Sequence, residues 1–262
     1  MFHLSWIRRH LVIIFNIKSL EWWWGLYKTL IIKIGGSILK DKNSIRNIVE
    51  PIKDLIQKGQ KIVIVVSALK GATDSLLDNS AEMYDEAPPW MLSDLVSMGE
   101  RSSARLLAAA LAASDLNPIV VDPANENWPI ITDEDYFNAN PILEITGKLI
   151  EKEFNTLLEK GLLPVVCGFI GKSKEGKVTL LGRGGSDTTA VLLGRYIKES
   201  EVILVKDTGS FLSGDPTASS STSPLENLSV DDAYALSTGG AKVIQPKALQ
   251  YKTKDTVLRI AS

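Results

Sequence analysis

The stretch that decides the fold is LIIKI at 30–34, which runs directly into Gly35, Gly36 and Ser37. It is short, rich in isoleucine and apolar at nearly every position, as is typical of a strand that is covered on both faces. Four further runs share this character: Ile62 to Val66, Ile119 to Val121, Pro164 to Ile170 and Val202 to Val205. Together they predict a mainly parallel sheet that is buried between two outer layers.

Helical periodicity occupies intervals between these strands. One helical stripe combines Ile45, Ile48, Val49, Ile52, Leu55 and Ile56. Ser44 is its predicted N-cap, Gly59 lies just past its end, and Pro51 inside it is expected to cause a kink. A second helix is predicted over Leu92 to Ala113, and its part from Ala104 onward is apolar nearly all round, which predicts burial. The alternation predicts an α/β fold, a three-layer αβα sandwich around a mainly parallel central sheet.

The composition is that of a globular protein with a small-molecule ligand. Of 262 residues, 45% are hydrophobic and 23% are charged, and the net charge of -2 supplies no basic field for nucleic acid. The single cysteine, Cys167, excludes an intramolecular disulfide, and its apolar neighbours predict a core position. No Cys/His cluster has the spacing of a metal site. These features predict a cytoplasmic location.

The first 28 residues differ in kind from the rest. Their apolar run from Leu11 to Phe15 has five residues, which are too few for a signal peptide core or a membrane span. Trp22, Trp23 and Trp24 beside basic residues are compatible with an interfacial anchor. We favour a poorly ordered extension, leave residues 1–28 outside the predicted fold, take 29–262 as the folded domain and expect no stable membrane insertion.

Candidate site residues follow the predicted strands, because ligands of open α/β sheets collect at the carboxyl ends of strands. Gly35 and Gly36 can bring backbone amides to a phosphate, and Lys33 adds a positive charge. Taken alone, these residues are more often explained by a strand that ends in a glycine turn with a solvent-facing lysine. The loop from Ser67 to Asp74 could orient a polar ligand or form an ordinary surface turn.

The richest segment is LGRGGSDTT at 181–189. Its glycines allow close contact with the backbone, and Ser186 is a natural N-cap for the apolar helix that follows. The guanidinium group of Arg183 can donate two hydrogen bonds to a carboxylate or phosphate. An ordinary turn needs neither that arginine nor Asp187, so a functional interpretation is favoured here. The Walker and dinucleotide-binding motifs are excluded, since their required glycine positions hold Val166 and Asp187.

Seven segments, in chain order, resemble the amino acid kinase superfamily and, within it, the aspartate kinases. They are KIGGS at 33–37, VVSALKGATDSLL at 65–77, SMGERSSARLLAAAL at 97–111, GFIG at 168–171, LLGRGGSDTTAVLLG at 180–194, KDTGSFLSGDP at 206–216 and LSVDDAYALSTGGAKVIQPKAL at 228–249. The resemblance implies the amino acid kinase fold, with a substrate lobe over about 29–175 and a nucleotide lobe over about 176–262. It also implies a homodimer or higher homo-oligomer.

The implied activity is transfer of a phosphoryl group from ATP to the side-chain carboxylate of L-aspartate. The product would be 4-phospho-L-aspartate, at the entry to lysine, threonine and methionine biosynthesis. A carboxylate is ionised at neutral pH and needs no general base, so the absence of a candidate catalytic histidine is consistent with this chemistry. Two alternatives stay open: a kinase of glutamate or of an N-acetylated amino acid, and a catalytically silent nucleotide- or amino-acid-binding regulatory protein.

The resemblance also assigns roles to individual positions. The implied catalytic residues are Lys33, Asp187 and Lys242. The implied ligands of the amino acid are Ser67, Thr73, Glu100, Arg183 and Ser186. The implied nucleotide ligands are Lys33, Gly35, Gly36, Ser37, Lys206, Asp207, Phe211, Leu212 and Lys242. Mg²⁺ is expected through the ATP phosphates, because it relies mainly on phosphate oxygens and water.

These roles have structural alternatives. Lys33 and Lys242 would approach the phosphates from opposite sides, although a lone lysine is ordinarily a surface residue. Glu100 would pair with the substrate ammonium, or it could complement the dipole of a helix that it begins. Arg183 would clamp a substrate carboxylate, and Asp187 would orient either the lysines or the metal.

The chain departs from the family pattern at several positions. Thr217 replaces the usual arginine after the Asp-Pro pair, and Gln245 stands where histidine is common. Residues 208–210 differ from the sequence that the family usually has in the loop after Asp207. Asp207, in the same region, could be a plain loop carboxylate. The sequence stops at Ser262 without the ACT domains of most aspartate kinases, so we expect no feedback by lysine or threonine.

Overall fold

The computed structural model describes residues 10–14, 28–39, 42–83, 87–206, 211, 223, 225, 227–241 and 243–261. Residues 10–14, 42 and 81–83 are described through their backbone. The strands are β1 (His10–Ile14), β2 (Thr29–Ile34), β3 (Lys61–Val66), β4 (Pro118–Val121), β5 (Leu163–Cys167), β6 (Ile170–Lys172), β7 (Val178–Leu180), β8 (Ser200–Val205), β9 (Asn227–Ser229) and β10 (Val257–Ala261). The helices are α1 (Lys42–Gln57), α2 (Ala72–Met83), α3 (Pro89–Ala112), α4 (Leu143–Glu159), α5 (Gly185–Tyr196), α6 (Val230–Thr238) and α7 (Pro246–Gln250).

The described strands form one large sheet and one small one. The large sheet has the order β4-β5-β3-β2-β8-β10-β1-β9, and β6 pairs with β7 alone. All neighbours in the large sheet are parallel except β9, which is antiparallel to β1. The mainly parallel sheet predicted from the sequence is therefore confirmed.

The centre of the sheet is buried on both faces. Strands β2, β5, β8 and β10 are buried along their whole length, as their continuous apolar runs predict. Helix α3 packs against β3, β4 and β5 and contacts α1, whereas α5 packs against β2, β3 and β8 and contacts α4 and α7. Two helical layers thus enclose the sheet, in agreement with the predicted α/β sandwich.

The order of the strands fixes where a ligand can bind. Strand β2 lies between β3 and β8, with Lys33 in register with Val65 on one side and Leu204 on the other. After β2 the chain first adds β3, β4 and β5 on one side of that strand, and later adds β8, β9 and β10 on the other side. Loops at the carboxyl ends of β2 and β8 consequently diverge and leave a crevice between them.

Three local predictions need correction. The run from Pro164 to Ile170 is not one strand, because Phe169 adopts a φ of 70° and separates β5 from β6. Helix α1 begins at Lys42, so Ser44 lies inside it and is not its cap. The segment from Ala104 to Ala113 is buried along one face only, since Leu107 is fully buried whereas Leu106 is 48% exposed.

Other local predictions hold. Pro51 lies inside α1, and Gly59 ends that helix with a φ of 87° and an amide that donates to Ile56 O at 2.9 Å. Cys167 is fully buried in β5. Burial, chiefly, raises the pKa of its thiol, which makes it an inert core residue.

Part of the N-terminal segment contributes to the sheet. Strand β1 pairs in parallel with β10 and antiparallel with β9, so His10–Ile14 lie within the fold although the sequence analysis left them outside. The tryptophans at 22–24 and most of the Ser/Thr-rich stretch 218–224 lie outside the described residues. No helix among the described ranges has the length and apolar character needed to cross a bilayer.

Candidate active site

A cleft of about 410 Å³ opens where the strand order reverses, at the carboxyl ends of β2, β3 and β8. Ten of the residues predicted from the sequence line it together: Lys33, Gly36, Ser37, Ser67, Thr73, Glu100, Arg183, Ser186, Asp187 and Lys206. They come from five separate segments of the chain. The fold therefore brings the candidate residues for the amino acid and for the phosphates into one cavity.

The floor of the cleft holds a carboxylate between two ammonium groups. Asp187 Oδ1 lies 2.9 Å from Lys33 Nζ, and Asp187 Oδ2 accepts a hydrogen bond from Lys206 Nζ at 2.5 Å. Burial alone would raise the pKa of Asp187, but the charges of Lys33 and Lys206 outweigh it and hold that pKa below its usual value. Asp187 is therefore ionised at neutral pH, and one carboxylate between two lysines leaves one net positive charge.

The position of Lys33 excludes the surface-lysine alternative. It lies in the central strand β2 with only 7% of its surface exposed, and its ammonium group reaches the cleft. A buried lysine is retained where it is paired, and here Asp187 provides the pair. The net charge left over by the trio makes this end of the cleft a binding site for an anion.

Glu100 contributes to the wall of the cleft. It lies in the middle of α3, so complementing a helix N-terminus does not explain it. Its Oε1 accepts the Ala68 amide at 3.2 Å, and its buried Oε2 has no hydrogen-bond partner among the described residues. Burial raises the pKa of Glu100 to about 7, although the Ala68 amide and the charge of Lys33 favour the ionised form. A cationic ligand would satisfy this carboxylate.

Small residues let three segments meet at this wall. A methyl group on Gly36 would lie 2.2 Å from Ala68 O, and one on Gly99 would lie 2.8 Å from Ala68 Cβ. Gly36 follows β2, Ala68 follows β3, and Gly99 directly precedes Glu100 in α3. The absence of side chains at the two glycines is what allows Glu100 to reach the Ala68 amide.

Gly36→Ala is expected to lower the free energy of unfolding by about 1–3 kcal/mol, because the added methyl group must separate two backbones. Gly35→Ala is the matched control, since its methyl group would stand 3.6 Å from its nearest neighbours, an ordinary contact. Urea unfolding monitored by circular dichroism measures both. Equal stability of the two variants would contradict the close packing of Gly36 on Ala68.

The arginine loop, defined here as Gly182 to Gly184, forms the rim. Its glycines have φ values of 78° and 72°, in the left-handed region that glycine tolerates best. The predicted N-cap is wrong: Gly184 caps α5, and Ser186 lies within its first turn. Arg183 is exposed and lines the cleft, so its guanidinium is available to a ligand carboxylate.

Not every predicted residue can be placed in the cleft. Phe211 is 1% exposed and belongs to the hydrophobic core, and Gly35 lies beside the cleft rather than along its lining. Asp207, Leu212 and Lys242 lie outside the described residues, as do Thr217 and the loop 208–210. The convergence of Lys33 and Lys242 on one phosphate therefore stays a prediction.

Three lining residues carried little signal in the sequence. Phe169 lines the cleft with its strained backbone, and Lys70 adds a cation at its edge. Gln245, noted only as a departure from the family pattern, also faces the cleft. The GFIG and SALKGATD segments contain the first two, but nothing in their composition distinguished these residues from their neighbours.

The arrangement suits a ligand that carries both signs of charge. Lys33 and Lys206 can hold an anion, Arg183 a second anionic group, and Glu100 an ammonium group. Among the described residues no three acidic, histidine or cysteine side chains converge as metal ligands. Both oxygens of Asp187 lie within ion-pair distance of lysine ammonium groups.

Comparison with known proteins gives one family. The model of the amino acid kinase family matches residues 28–262. An aspartate kinase of Stutzerimonas stutzeri is 32% identical over 225 residues, which cover 86% of this chain and 53% of that protein. An aspartokinase of Mycobacterium bovis is 32% identical over 226 residues, with coverage of 86% and 52%. The chain thus spans about half the length of the curated relatives it matches.

Solved structures show the same fold. Aspartokinase III of E. coli, in complex with aspartate and ADP, superposes with a TM-score of 0.76 at 22% identity and covers 89% of this chain and 61% of its own. Aspartate kinase of Synechocystis superposes with a TM-score of 0.73 at 27% identity, with coverage of 88% and 37%. Because aspartokinase III is only 22% identical to this chain, its similarity shows the fold alone.

Proposed function

Since the chain belongs to the amino acid kinase family, we propose that it is an aspartate kinase, which transfers the γ-phosphoryl group of ATP to the side-chain carboxylate of L-aspartate. The products would be 4-phospho-L-aspartate and ADP. The names of its relatives support this choice within the family. The proposal includes a substrate lobe near residues 29–175, a nucleotide lobe near 176–262, a homo-oligomeric assembly and a cytoplasmic location.

One observation carries the proposal: Glu100, Arg183 and the Lys33–Asp187–Lys206 trio face a single cleft. L-Aspartate has one ammonium group and two carboxylates. Glu100 can take the ammonium group and Arg183 the α-carboxylate. The side-chain carboxylate would then point toward the lysines, where the terminal phosphate of a nucleotide is attracted.

The reaction follows from this placement. An oxygen of the aspartate side chain forms a bond to the γ-phosphorus, the bond from that phosphorus to the ADP oxygen breaks, and ADP leaves with the electron pair. The attacking carboxylate is already ionised, so no residue has to remove a proton. The main task of the protein is to hold two mutually repelling anions in line.

The trio supplies the electrostatic part of that task. Lys33 and Lys206 stabilise charge on the transferring phosphoryl group, and Asp187 fixes both ammonium groups in place before the ligand arrives. The amides of Gly35 and Gly36, after β2, are proposed donors to the phosphate oxygens. Mg²⁺ carried by the phosphates would neutralise further charge on the nucleotide.

The other acids of the family fit the cleft less well. An N-acetylated amino acid has no ammonium group and would leave the buried Glu100 carboxylate without a cationic partner. Glutamate keeps the ammonium group and differs by one methylene, which separates substrates by only about 1–3 kcal/mol. Glutamate is thus the more serious competitor, and experiment has to decide between the two.

Turnover with a panel of acids tests the proposal. ATP is offered with L-aspartate, L-glutamate and their N-acetyl derivatives, ADP release is measured, and hydroxylamine traps any acyl phosphate as a hydroxamate. We expect ADP and hydroxamate in equal amounts with L-aspartate. Preference for another acid would overturn the substrate assignment, and nucleotide binding without turnover of any acid would favour the regulatory alternative.

The apparent KM for aspartate is expected to rise about tenfold as the pH falls from about 7.5 to about 6. The pKa of Glu100 is raised to about 7 in the ligand-free protein, so acidification protonates this carboxylate and removes the partner of the substrate ammonium. The ionisation of aspartate itself does not change in that interval. Initial rates at saturating ATP measure the effect.

Glu100→Gln is the control for this pH dependence. The neutral amide keeps the shape of the side chain, and loss of the charged hydrogen bond should raise the KM for aspartate by roughly 10- to 100-fold. Its KM for aspartate should no longer vary between about pH 6 and 7.5. A wild-type pH profile that persists in Glu100→Gln would show that another group controls aspartate binding.

A further inference from the structure

The arginine loop is wedged between two walls that come from distant parts of the chain. A methyl group on Gly182 would lie 2.4 Å from Asn138 Oδ1, and one on Gly184 would lie 2.3 Å from Gln245 Cγ. Asn138 precedes α4, and Gln245 immediately precedes α7. The backbone before Arg183 therefore packs against Asn138, and the backbone after it packs against Gln245. A shift of either of these residues would allow the loop to move.

One side chain ties the two walls together. Lys247 lies in α7, two residues after Gln245, and its Nζ donates to Asn138 Oδ1 at 2.8 Å, to Asn138 O at 2.9 Å and to Ala139 O at 3.0 Å. An ammonium group has three protons, and these acceptors use all of them. The contact joins residues 109 positions apart, which belong to the two lobes predicted from the sequence.

The segment around Asn138, which Lys247 contacts, is held in place by hydrogen bonds of its own. Asp135 Oδ1 accepts the Asn138 amide at 3.0 Å, and Asp133 accepts hydrogen bonds from the Asn140 amide and side chain, both at 3.0 Å. The same two aspartates surround Lys247 with negative charge, although burial lowers its pKa overall. Lys247 thus connects a rigid turn to the start of α7, rather than connecting two mobile ends.

We propose that Lys247 is a positioning residue: by holding Asn138 and Gln245 against the arginine loop, it sets where Arg183 meets the substrate carboxylate. The proposal rests on the proposed function for the identity of the substrate. Lys247 does not line the cleft and would act on the substrate only through the loop. Loss of the Lys247 side chain should therefore weaken binding of the amino acid and leave binding of the nucleotide unchanged.

Lys247→Met tests this role in the full 262-residue chain, because methionine retains most of the side-chain length and donates no hydrogen bond. The KM for aspartate is expected to rise about tenfold, because loss of the hydrogen bonds from the Lys247 ammonium group lets the arginine loop shift, while the KM for ATP changes less than about twofold. Lys247→Arg should recover part of the affinity. Equal changes in both KM values, or no change in the KM for aspartate, would overturn the proposal.

A double-mutant cycle with Asn138→Ala tests the route. If Lys247 acts through Asn138, the effect of Lys247→Met on the KM for aspartate should shrink to less than about half in the Asn138→Ala background. Fully independent effects would contradict the proposed link. Lys148→Met on the exposed face of α4, whose ammonium group pairs with Glu144 at 2.9 Å, is the matched lysine control and should behave as wild type.

Hydrogen exchange separates this proposal from the identity of the reaction. The Gly185 amide donates to Gly182 O at 2.9 Å, and the Thr188 amide donates to Gly184 O at 3.0 Å. In Lys247→Met, without any ligand, peptides covering 181–188 should exchange several-fold faster than in wild type and in Lys148→Met. Unchanged exchange would overturn the positioning role, whereas absent turnover in wild type would overturn only the proposed function.

Discussion

Lys33→Met is expected to lower kcat for aspartate-dependent ADP release by about 10³-fold, the upper end of the loss seen when one preorganised donor is removed. Lys33 is the cation that the central strand carries directly to the cleft, and its ammonium group is fixed 2.9 Å from Asp187 Oδ1. No water or neighbouring side chain can replace a fixed charge at that point without reorganisation. Steady-state kinetics at saturating substrates measures the loss.

The control for this substitution lies at the other end of the neighbouring strand. Lys61 is the first residue of β3, is exposed, and lies at the amino end of that strand, whereas the cleft lies at the carboxyl ends. Lys61→Met should retain nearly all activity, which separates the effect of position from the effect of losing a lysine. If Lys33→Met remains folded by circular dichroism and keeps more than about a tenth of wild-type kcat, Lys33 is not the phosphoryl-stabilising residue.

Glu201→Ala is expected to cost about 3–5 kcal/mol in the free energy of unfolding, because it removes one partner of a buried ion pair. Glu201 in β8 pairs with Arg259 in the adjacent strand β10, and the two residues are 4% and 1% exposed. Val257 is in register with Glu201, so Arg259 lies two residues further along the same face. Equilibrium unfolding in urea measures the change.

Two further variants test whether burial of the Glu201–Arg259 ion pair is the reason for the expected loss of stability. Lys28→Ala removes the ion pair with Glu199, whose side chains are 80% and 63% exposed, and should cost less than about 1 kcal/mol. Replacing Glu201 and Arg259 together by methionine should recover much of the loss, since it removes both buried charges. A Glu201→Ala variant as stable as Lys28→Ala would show that the pair contributes nothing through its burial.

The same ion pair explains why one strand could not be predicted. The five apolar runs marked the positions of β2, β3, β4, β5 and β8, because their pattern is local and continuous, although one run also extended into β6. Strand β10 reads VLRIA, and its central Arg259 breaks the apolar run. Only the fold brings Glu201 beside it, so the compensation for a buried charge is invisible at the level of local sequence.

The site shows the same division between local and distant information. The glycines, Lys33, Arg183 and Asp187 are informative because each lies near the carboxyl end of a strand or in the segment that follows one. That Asp187 lies between two lysines depends on the register of β2 beside β8. The contact between Lys247 and Asn138 spans 109 positions and leaves no trace in either segment alone.

The central claim is that the aspartate side chain itself attacks the γ-phosphorus in this cleft. L-Aspartate labelled with ¹⁸O in its side-chain carboxylate tests the claim directly, when the acyl phosphate is cleaved by hydroxylamine and the released phosphate is examined by ³¹P NMR. Hydroxylamine attacks the carbonyl carbon, so the phosphate keeps the bridging oxygen. We predict one ¹⁸O in every phosphate that accompanies a hydroxamate; phosphate without the label would contradict carboxylate attack.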